Sequence, residues 1–144
     1  MNEIVVHNAH RRVTISTKET LEAARGVLKD EGLTSSLVSI IFVDNSYSRK
    51  LNRRYLAHPY ATDVLAFPLR DGEVLEGEIY VNLDRAKIQA REHKVQFRNE
   101  VTRLVIHGLL HLLGYRDSTR KQKEKMSSKE DEYLVKYFDR GRHG

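Results

Sequence analysis

The segment from Leu104 to Leu113 is the longest aliphatic stretch of the chain, and it is interrupted by two histidines and one glycine. It is far too short to cross a membrane. On an α-helix, His107 and His111 lie on the same face, because four residues advance the helix by about 400°. An unpaired buried polar group costs about 1–3 kcal/mol, so two imidazoles in so apolar a helix need partners.

One metal ion would satisfy both imidazoles at once. Gly114 suits a helix C-terminus, where a left-handed residue reverses the chain and can bring Asp117 back toward the histidines. The spacing therefore predicts a three-ligand site for one divalent cation, formed by His107, His111 and Asp117. The alternative is a pair of core histidines with ordinary hydrogen-bond partners. The chain has no cysteine, so any metal is held by nitrogen and carboxylate ligands. Zinc is the expected ion, one per chain, although nickel, cobalt or iron would also be accepted.

Three protein ligands leave a fourth coordination position open, which is typical of catalytic zinc. An ion in such a site acidifies a bound water, so a hydrolase is expected. The spacing H-x3-H-x2-G-x2-D is also similar to that of metzincin proteases, which need a glutamate directly after the first histidine. Gly108 occupies that position and cannot accept a proton, which argues against a protease.

Length and charge limit the other classes of function. The chain has 144 residues, no repeat and no linker-like segment, so a single domain over residues 1–144 is expected. A net charge of +5 mildly favours a polyanionic partner. The first residues lack the pattern of a secretory signal, and the expectation is a soluble cytoplasmic protein.

The hydrophobic pattern predicts an α+β fold, in which one small mixed four-stranded sheet is covered by about five helices. Pro68 indicates that the third strand lies at an edge of the sheet. A capping box from Ser16 to Glu19 is expected to start the first helix, Gly32 to end it, and Asp44 or Asn45 to cap the second. A turn is expected at residues 70–73. The predicted strands are Glu3 to Val6, Leu37 to Val43, Asp63 to Leu69 and Glu78 to Leu83, and the later helices cover roughly residues 84–93, 98–113 and 119–138.

Other polar residues are weaker candidates for function. Glu100 and Arg103 continue the histidine stripe of the metal helix, where they either support the site or contact substrate, or form an ordinary i, i+3 ion pair. Asp63 either contacts a ligand or substrate or simply starts a strand. Four cations on the second helix, between Tyr47 and Tyr55, either bind single-stranded RNA or form a solvated helix face. These cations are Arg49, Lys50, Arg53 and Arg54.

Two blocks of residues have the order and spacing of a known family. The first is His107, Gly108, Leu110, His111, Leu112, Gly114 and Tyr115; the second is Asn52, Tyr55, Thr62, Asp63, Val64, Leu65, Phe67 and Pro68. Gly77-Glu78-Ile79 and Glu100 add to the match. Over roughly residues 38–130 the chain thus resembles the YbeY family of bacterial rRNA maturation factors, described as single-strand-specific metallo-endoribonucleases.

The resemblance implies zinc-dependent cleavage of single-stranded RNA, in maturation of the 16S rRNA 3′ end and in ribosome quality control. Ribosomal particles become expected partners. The nucleophile is either a metal-activated water or a 2′-hydroxyl, and beyond the metal-bound water the candidate catalytic residues are Glu100, Arg103 and Asp63. Asp117 stands where the family has its third histidine, and Leu56 where it has an arginine, a role that Arg53 or Arg54 could take over. A non-catalytic ribosome-assembly factor with a structural metal is the alternative.

Overall fold

The computed structural model describes residues 1–56, 61–70 and 74–138. Within these ranges the chain forms four strands and five α-helices, the last followed by a π-helical turn, Leu134–Phe138. Residues 71–73 of the predicted turn lie outside the described part of the chain. The strands are β1 (Asn2–Asn8), β2 (Ser36–Val43), β3 (Val64–Arg70) and β4 (Leu75–Asn82), and the helices are α1 (Lys18–Asp30), α2 (Asn45–Tyr55), α3 (Leu83–His93), α4 (Phe97–Leu112) and α5 (Arg120–Tyr133).

The four strands form one mixed sheet in the order β1-β2-β4-β3. β1, β2 and β4 run parallel, with Val6 opposite Ile40 and Ile40 opposite Ile79. β3 runs antiparallel to β4 at the edge of the sheet, and its register shifts after Pro68. The α+β class, the mixed sheet and the edge position of Pro68 are thereby confirmed.

α4 lies in the middle of the core. From Val101 to Leu112 every residue is buried except Arg103, His107 and His111, which are half-buried and form one stripe along the helix. The helix approaches β4 closely at two glycines. A Cβ atom on Gly108 would lie 2.6 Å from Ile79, and one on Gly77 would lie 2.7 Å from Leu112. The position of the histidine stripe is thus fixed by tight packing on the adjoining face of the helix.

The helix ends confirm some predictions and correct one. Asp44 caps α2 by accepting a hydrogen bond from the backbone N–H of Tyr47 at 2.8 Å, and Gly32 follows α1 with a φ of +89°. The capping box predicted from Ser16 to Glu19 is wrong. Thr17, not Ser16, is the N-cap residue and makes no side-chain cap, and the Glu19 carboxylate pairs with Arg98 at 2.8 Å.

The capping box of this structure belongs to α5. The Thr119 hydroxyl accepts from the backbone N–H of Gln122, and the Gln122 side chain accepts from the backbone N–H of Thr119, both at 3.1 Å. Tyr133 and Leu134 are buried, so the end of this helical segment packs against the core. In the described ranges, no helix combines the length and apolar character that a membrane crossing requires.

Candidate metal centre

The end of α4 brings the three predicted ligands together. Gly114 adopts a φ of +98°, and Tyr115 donates its backbone N–H to the carbonyl of Leu110, which closes the helix and reverses the chain. His111 Nε2 consequently lies 3.0 Å from His107 Nε2 and 3.2 Å from Asp117 Oδ2. His107 Nε2 lies 3.5 Å from the same carboxylate oxygen.

These distances are close to, and in two cases slightly shorter than, those between the ligands of a single small cation. Zinc binds imidazole nitrogen and carboxylate oxygen at about 2.0–2.2 Å, so neighbouring ligands of a tetrahedral ion are about 3.3–3.6 Å apart. The three atoms, from His107, His111 and Asp117, form a group that could hold a metal ion. All three side chains remain partly exposed, so the open side of the group faces solvent.

Glu130 is a functional candidate that sequence reasoning missed. Its side chain is 8% exposed, and its Oε2 accepts a hydrogen bond from His107 Nδ1 at 2.7 Å. Arg103 Nη1 donates to the other oxygen at 3.1 Å, and Arg103 Nη2 pairs with Asp131 at 2.5 Å. A carboxylate on the distal nitrogen of a ligating histidine fixes the ring and its tautomer, which leaves Nε2 of His107 for the metal.

The same carboxylate changes the proton affinity of His107. Burial lowers the pKa of His107, but the hydrogen bond and charge of Glu130 outweigh it, with help from Asp117 and Asp63. The pKa consequently lies above the usual value for histidine. The protein thus surrounds this imidazole with negative potential, which also favours a cation.

The ligand group opens into a cleft of about 410 Å³. Its opposite wall is the start of β3 and the two residues before it, from Thr62 to Ala66. Asp63 lies in this wall, and its carboxylate accepts a hydrogen bond from Gln89 at 3.1 Å. Asp63 therefore lies beside the candidate metal site without belonging to the three-ligand group.

The other two weak candidates are placed differently. Glu100 is buried and accepts a hydrogen bond from His93 Nδ1 at 3.0 Å. The i, i+3 ion pair considered between Glu100 and Arg103 does not form, because Arg103 pairs with Glu130 and Asp131 on α5. Arg103 thus reaches the metal site through Glu130, whereas Glu100 supports the start of α4.

The four cations predicted to bind nucleic acid are exposed on α2, and among the described residues none of them lines the metal cleft. Neighbouring aromatic rings contact one another. The ring centroids of Tyr55 and Phe67 are 5.2 Å apart, and those of Tyr47 and Tyr80 are 6.1 Å apart. The Arg54 guanidinium lies 5.4 Å from the centre of the Tyr55 ring. Leu56, which stands where the resembled family has an arginine, is an exposed residue at the end of α2.

Comparison with known proteins identifies relatives over most of the chain. The family model described as Endoribonuclease YbeY matches residues 5–138. A protein named Endoribonuclease YbeY from Chlorobium phaeovibrioides is 40% identical over 91% of this chain and 88% of its own length. A protein of the same name from Salinibacter ruber is 43% identical over 75% of this chain and 74% of its own length. The solution structure of TM1509 from Thermotoga maritima has a TM-score of 0.70 at 29% identity, covering 97% of this chain and 92% of that one. The chain therefore belongs to the endoribonuclease YbeY family.

Proposed function

We propose that this chain is a zinc-dependent hydrolase that cuts single-stranded RNA in the cytoplasm. Its substrates are precursor rRNA, at the 3′ end of 16S rRNA, and the RNA of ribosomal particles under quality control. Residues 1–144 are proposed to form one metal-dependent hydrolase domain. The observation that carries the proposal is the group of three ligand atoms within 3.5 Å of one another, at the mouth of a cleft. Family membership supports the reaction class.

The residues of the cleft have separate roles in this proposal. The Nε2 atoms of His107 and His111 and a carboxylate oxygen of Asp117 hold the ion. When bound, the ion supplies Lewis acidity that stabilises charge on the phosphodiester and acidifies a water. Glu130 retains the Nδ1 proton of His107 and fixes the ring. Asp63, on the opposite wall, is placed to accept a proton or hydrogen bond from the substrate.

The RNA strand is proposed to reach the cleft along α2. Arg49, Lys50, Arg53 and Arg54 are exposed cations on one short helix, flanked by the rings of Tyr47 and Tyr55. Single strands are held by this combination of cations for phosphates and rings for bases. Arg53 and Arg54 are then the phosphate contacts nearest to Leu56.

The test is cleavage of a fluorescent single-stranded RNA by His111→Ala and wild type purified in parallel. The variant is expected to lose cleavage, whereas Lys123→Gln, an exposed change on α5, keeps it. Cleavage by His111→Ala at the wild-type rate would overturn the proposal. Product ends identify the nucleophile, since 2′-hydroxyl attack breaks the P–O5′ bond and leaves a 2′,3′-cyclic phosphate, whereas attack by water leaves a linear phosphate.

A second candidate function is a ribosome-assembly factor with a structural metal. Leu56 favours it, because an exposed leucine occupies the position of the family's arginine. This candidate predicts that a small chelating inhibitor at the open coordination position leaves binding to ribosomal particles unchanged. Loss of RNA cleavage in the same sample would exclude it.

A further inference from the structure

A second cavity lies away from the metal cleft, at the carboxyl ends of the parallel strands. Its volume is about 650 Å³, and it is lined by residues that follow β1, β2 and β4. These strands end at Asn8, Val43 and Asn82, and ligands of open α/β sheets characteristically bind beyond the carboxyl ends of parallel strands. The cavity and the metal cleft share none of their described lining residues.

Hydrogen bonds build the floor of this cavity. His10, whose side chain is 6% exposed, donates from Nε2 to Asp84 at 2.8 Å and accepts at Nδ1 from the backbone N–H groups of Arg12 and Val13. Asp84 also accepts from the backbone N–H of Asn45 at 3.0 Å. These contacts bind the loop after β1 to the starts of α2 and α3. They also satisfy the Asp84 carboxylate from within the protein.

The cations at the rim of the cavity have no oppositely charged partner among the described residues. Arg11, Arg12 and Lys50 are exposed, and none forms an ion pair with another described residue. The second carboxylate of the lining, Asp44, accepts from the backbone N–H of Tyr47. These three cations outnumber the two carboxylates of the lining, which leaves the described lining with a net charge of +1 and suits a phosphate group.

An aromatic ring stands beside these cations. Tyr47 is 41% exposed, and its ring stacks on Tyr80 with a centroid distance of 6.1 Å and an interplanar angle of 26°. Contact with Tyr80 fixes the ring and leaves much of its surface to solvent. A fixed, exposed ring next to cations is the usual arrangement for stacking an unpaired base.

The cavity and the metal cleft lie on different sides of α2. Ser48 accepts from the backbone N–H of Thr62, a residue of the metal cleft, at 3.1 Å. Lys50 lines the cavity and is two residues further along the helix, a rotation of about 200°. A strand that leaves the metal cleft across α2 would therefore meet this cavity.

We propose that this cavity is a second RNA-binding site, in which Arg11, Arg12 and Lys50 hold phosphates of a single strand and Tyr47 stacks on a base. The inference rests on the proposed function, because it extends the path of the same RNA substrate. It assigns the loop after β1 to substrate binding at a distance from the cleavage centre.

The test measures the affinity of zinc-loaded protein for a short, fluorescent, 2′-O-methylated single strand over a range of salt concentrations. Removing one phosphate contact reduces the salt slope by about 0.7, which corresponds to about fourfold weaker binding near 0.15 M salt. Arg11→Gln and Arg12→Gln, which lie outside the α2 path of the proposed function, are each expected to show both changes. Lys123→Gln, an exposed cation on α5 outside the cavity, is the matched control and should bind as wild type does.

The outcomes separate this proposal from the function it rests on. If wild type binds RNA and both cavity variants match Lys123→Gln, the second site is wrong and the proposed function stands. If wild type does not bind single-stranded RNA at all, both are wrong. Tyr47→Phe should keep wild-type affinity and Tyr47→Ala should lose it; equal affinities of these two variants would contradict base stacking.

Discussion

His107 is held at both of its ring nitrogens. Nδ1 donates to the buried Glu130 carboxylate, and Nε2 faces His111 and Asp117. Arg103 occupies the second oxygen of Glu130, so the charge of that carboxylate is balanced on the side away from the histidine. The imidazole therefore has one orientation, with Nε2 facing the other two candidate ligands.

Glu130→Gln tests the role of this carboxylate. The amide keeps an oxygen that can accept from His107, but the negative charge is lost. We expect zinc affinity to fall by about tenfold to 100-fold, the usual effect of removing such a partner. Competition titration against a chromophoric chelator measures it. Glu124→Gln, an exposed change on the same helix, should leave the affinity unchanged; an equal affinity for Glu130→Gln would contradict the assignment.

Glu31 should make the free energy of unfolding depend on pH in the acidic range. Burial raises the pKa of Glu31. Hydrogen bonds from Tyr115 and Tyr133 and the charge of Lys129 lower it by a larger amount, so the pKa is below the usual value for glutamate. A carboxylate with a lowered folded-state pKa contributes stability above its unfolded pKa, near 4.5, and that contribution is lost as the pH falls through the folded value.

Urea denaturation at pH 7 and at pH 4 measures this contribution. Glu31→Gln should lower the free energy of unfolding at pH 7 by about 1–3 kcal/mol, because two partly buried tyrosine hydroxyls lose a charged acceptor. The difference from wild type should shrink at pH 4. Glu22→Gln, an exposed change on α1, is the control. A difference that stays constant across pH would contradict the role of the Glu31 charge.

The candidate ligands could be predicted because they are close in sequence. Helical spacing and one glycine turn are local properties, and they place His107, His111 and Asp117 together without knowledge of the rest of the fold. Glu130 was missed because it reaches His107 from a different helix. A signal was present: Glu130 lies four residues after Met126 and three before Tyr133, on the buried side of α5. An acidic residue on an apolar stripe requires a partner.

At the scale of elements, α4 and β4 define the position of the candidate site. Gly108 and Gly77 allow the helix and the strand to approach so closely that neither position has room for a methyl group. The Gly108 that argues against a protease therefore has a structural role, because even a Cβ atom would collide with Ile79.

Gly108→Ala is expected to destabilise the fold by about 1–3 kcal/mol through overpacking against Ile79. Ile79→Ala alone should cost about 2–5 kcal/mol by leaving a cavity. Because the new methyl group enters the space that Ile79 vacates, the double variant should be more stable than the sum of the single effects implies. Denaturant unfolding of all four proteins gives the coupling, and simple additivity would contradict the close approach.

Element types and approximate bounds were predictable, whereas strand order was not. Periodicity and caps such as Asp44 are read over a few residues, and they located the five helices and four strands. The order β1-β2-β4-β3 depends on the pairing of β1 with β2 and of β2 with β4, whose partners are more than thirty residues apart and for which one sequence offers no signal. The capping box was assigned to α1 because Ser16 and Glu19 have the right spacing, but the ion pair with Arg98 involves a distant helix.

At the scale of the whole molecule, the candidate site joins α4, the loop that follows it and α5. The ligands come from the first two, and Glu130 links the third to His107. An ion that binds only the folded chain stabilises the whole fold by mass action.

Zinc should therefore raise the thermal midpoint. At a free concentration of about 100 times the dissociation constant, the gain is about 2.7 kcal/mol, or roughly 5–10 °C for a chain of this length. Differential scanning fluorimetry with and without a chelator measures it. His111→Ala should show no zinc-dependent shift, and a shift equal to that of wild type would place the ion elsewhere.

The most direct measurement is the zinc content of tag-free protein, with wild type and Asp117→Ala purified side by side and analysed for metals by mass spectrometry. The account predicts about one zinc per chain in wild type and clearly less in the variant, because the three-ligand group loses its carboxylate. Wild type that holds no metal after zinc is supplied would contradict the account, leaving His107 and His111 as hydrogen-bonded core histidines.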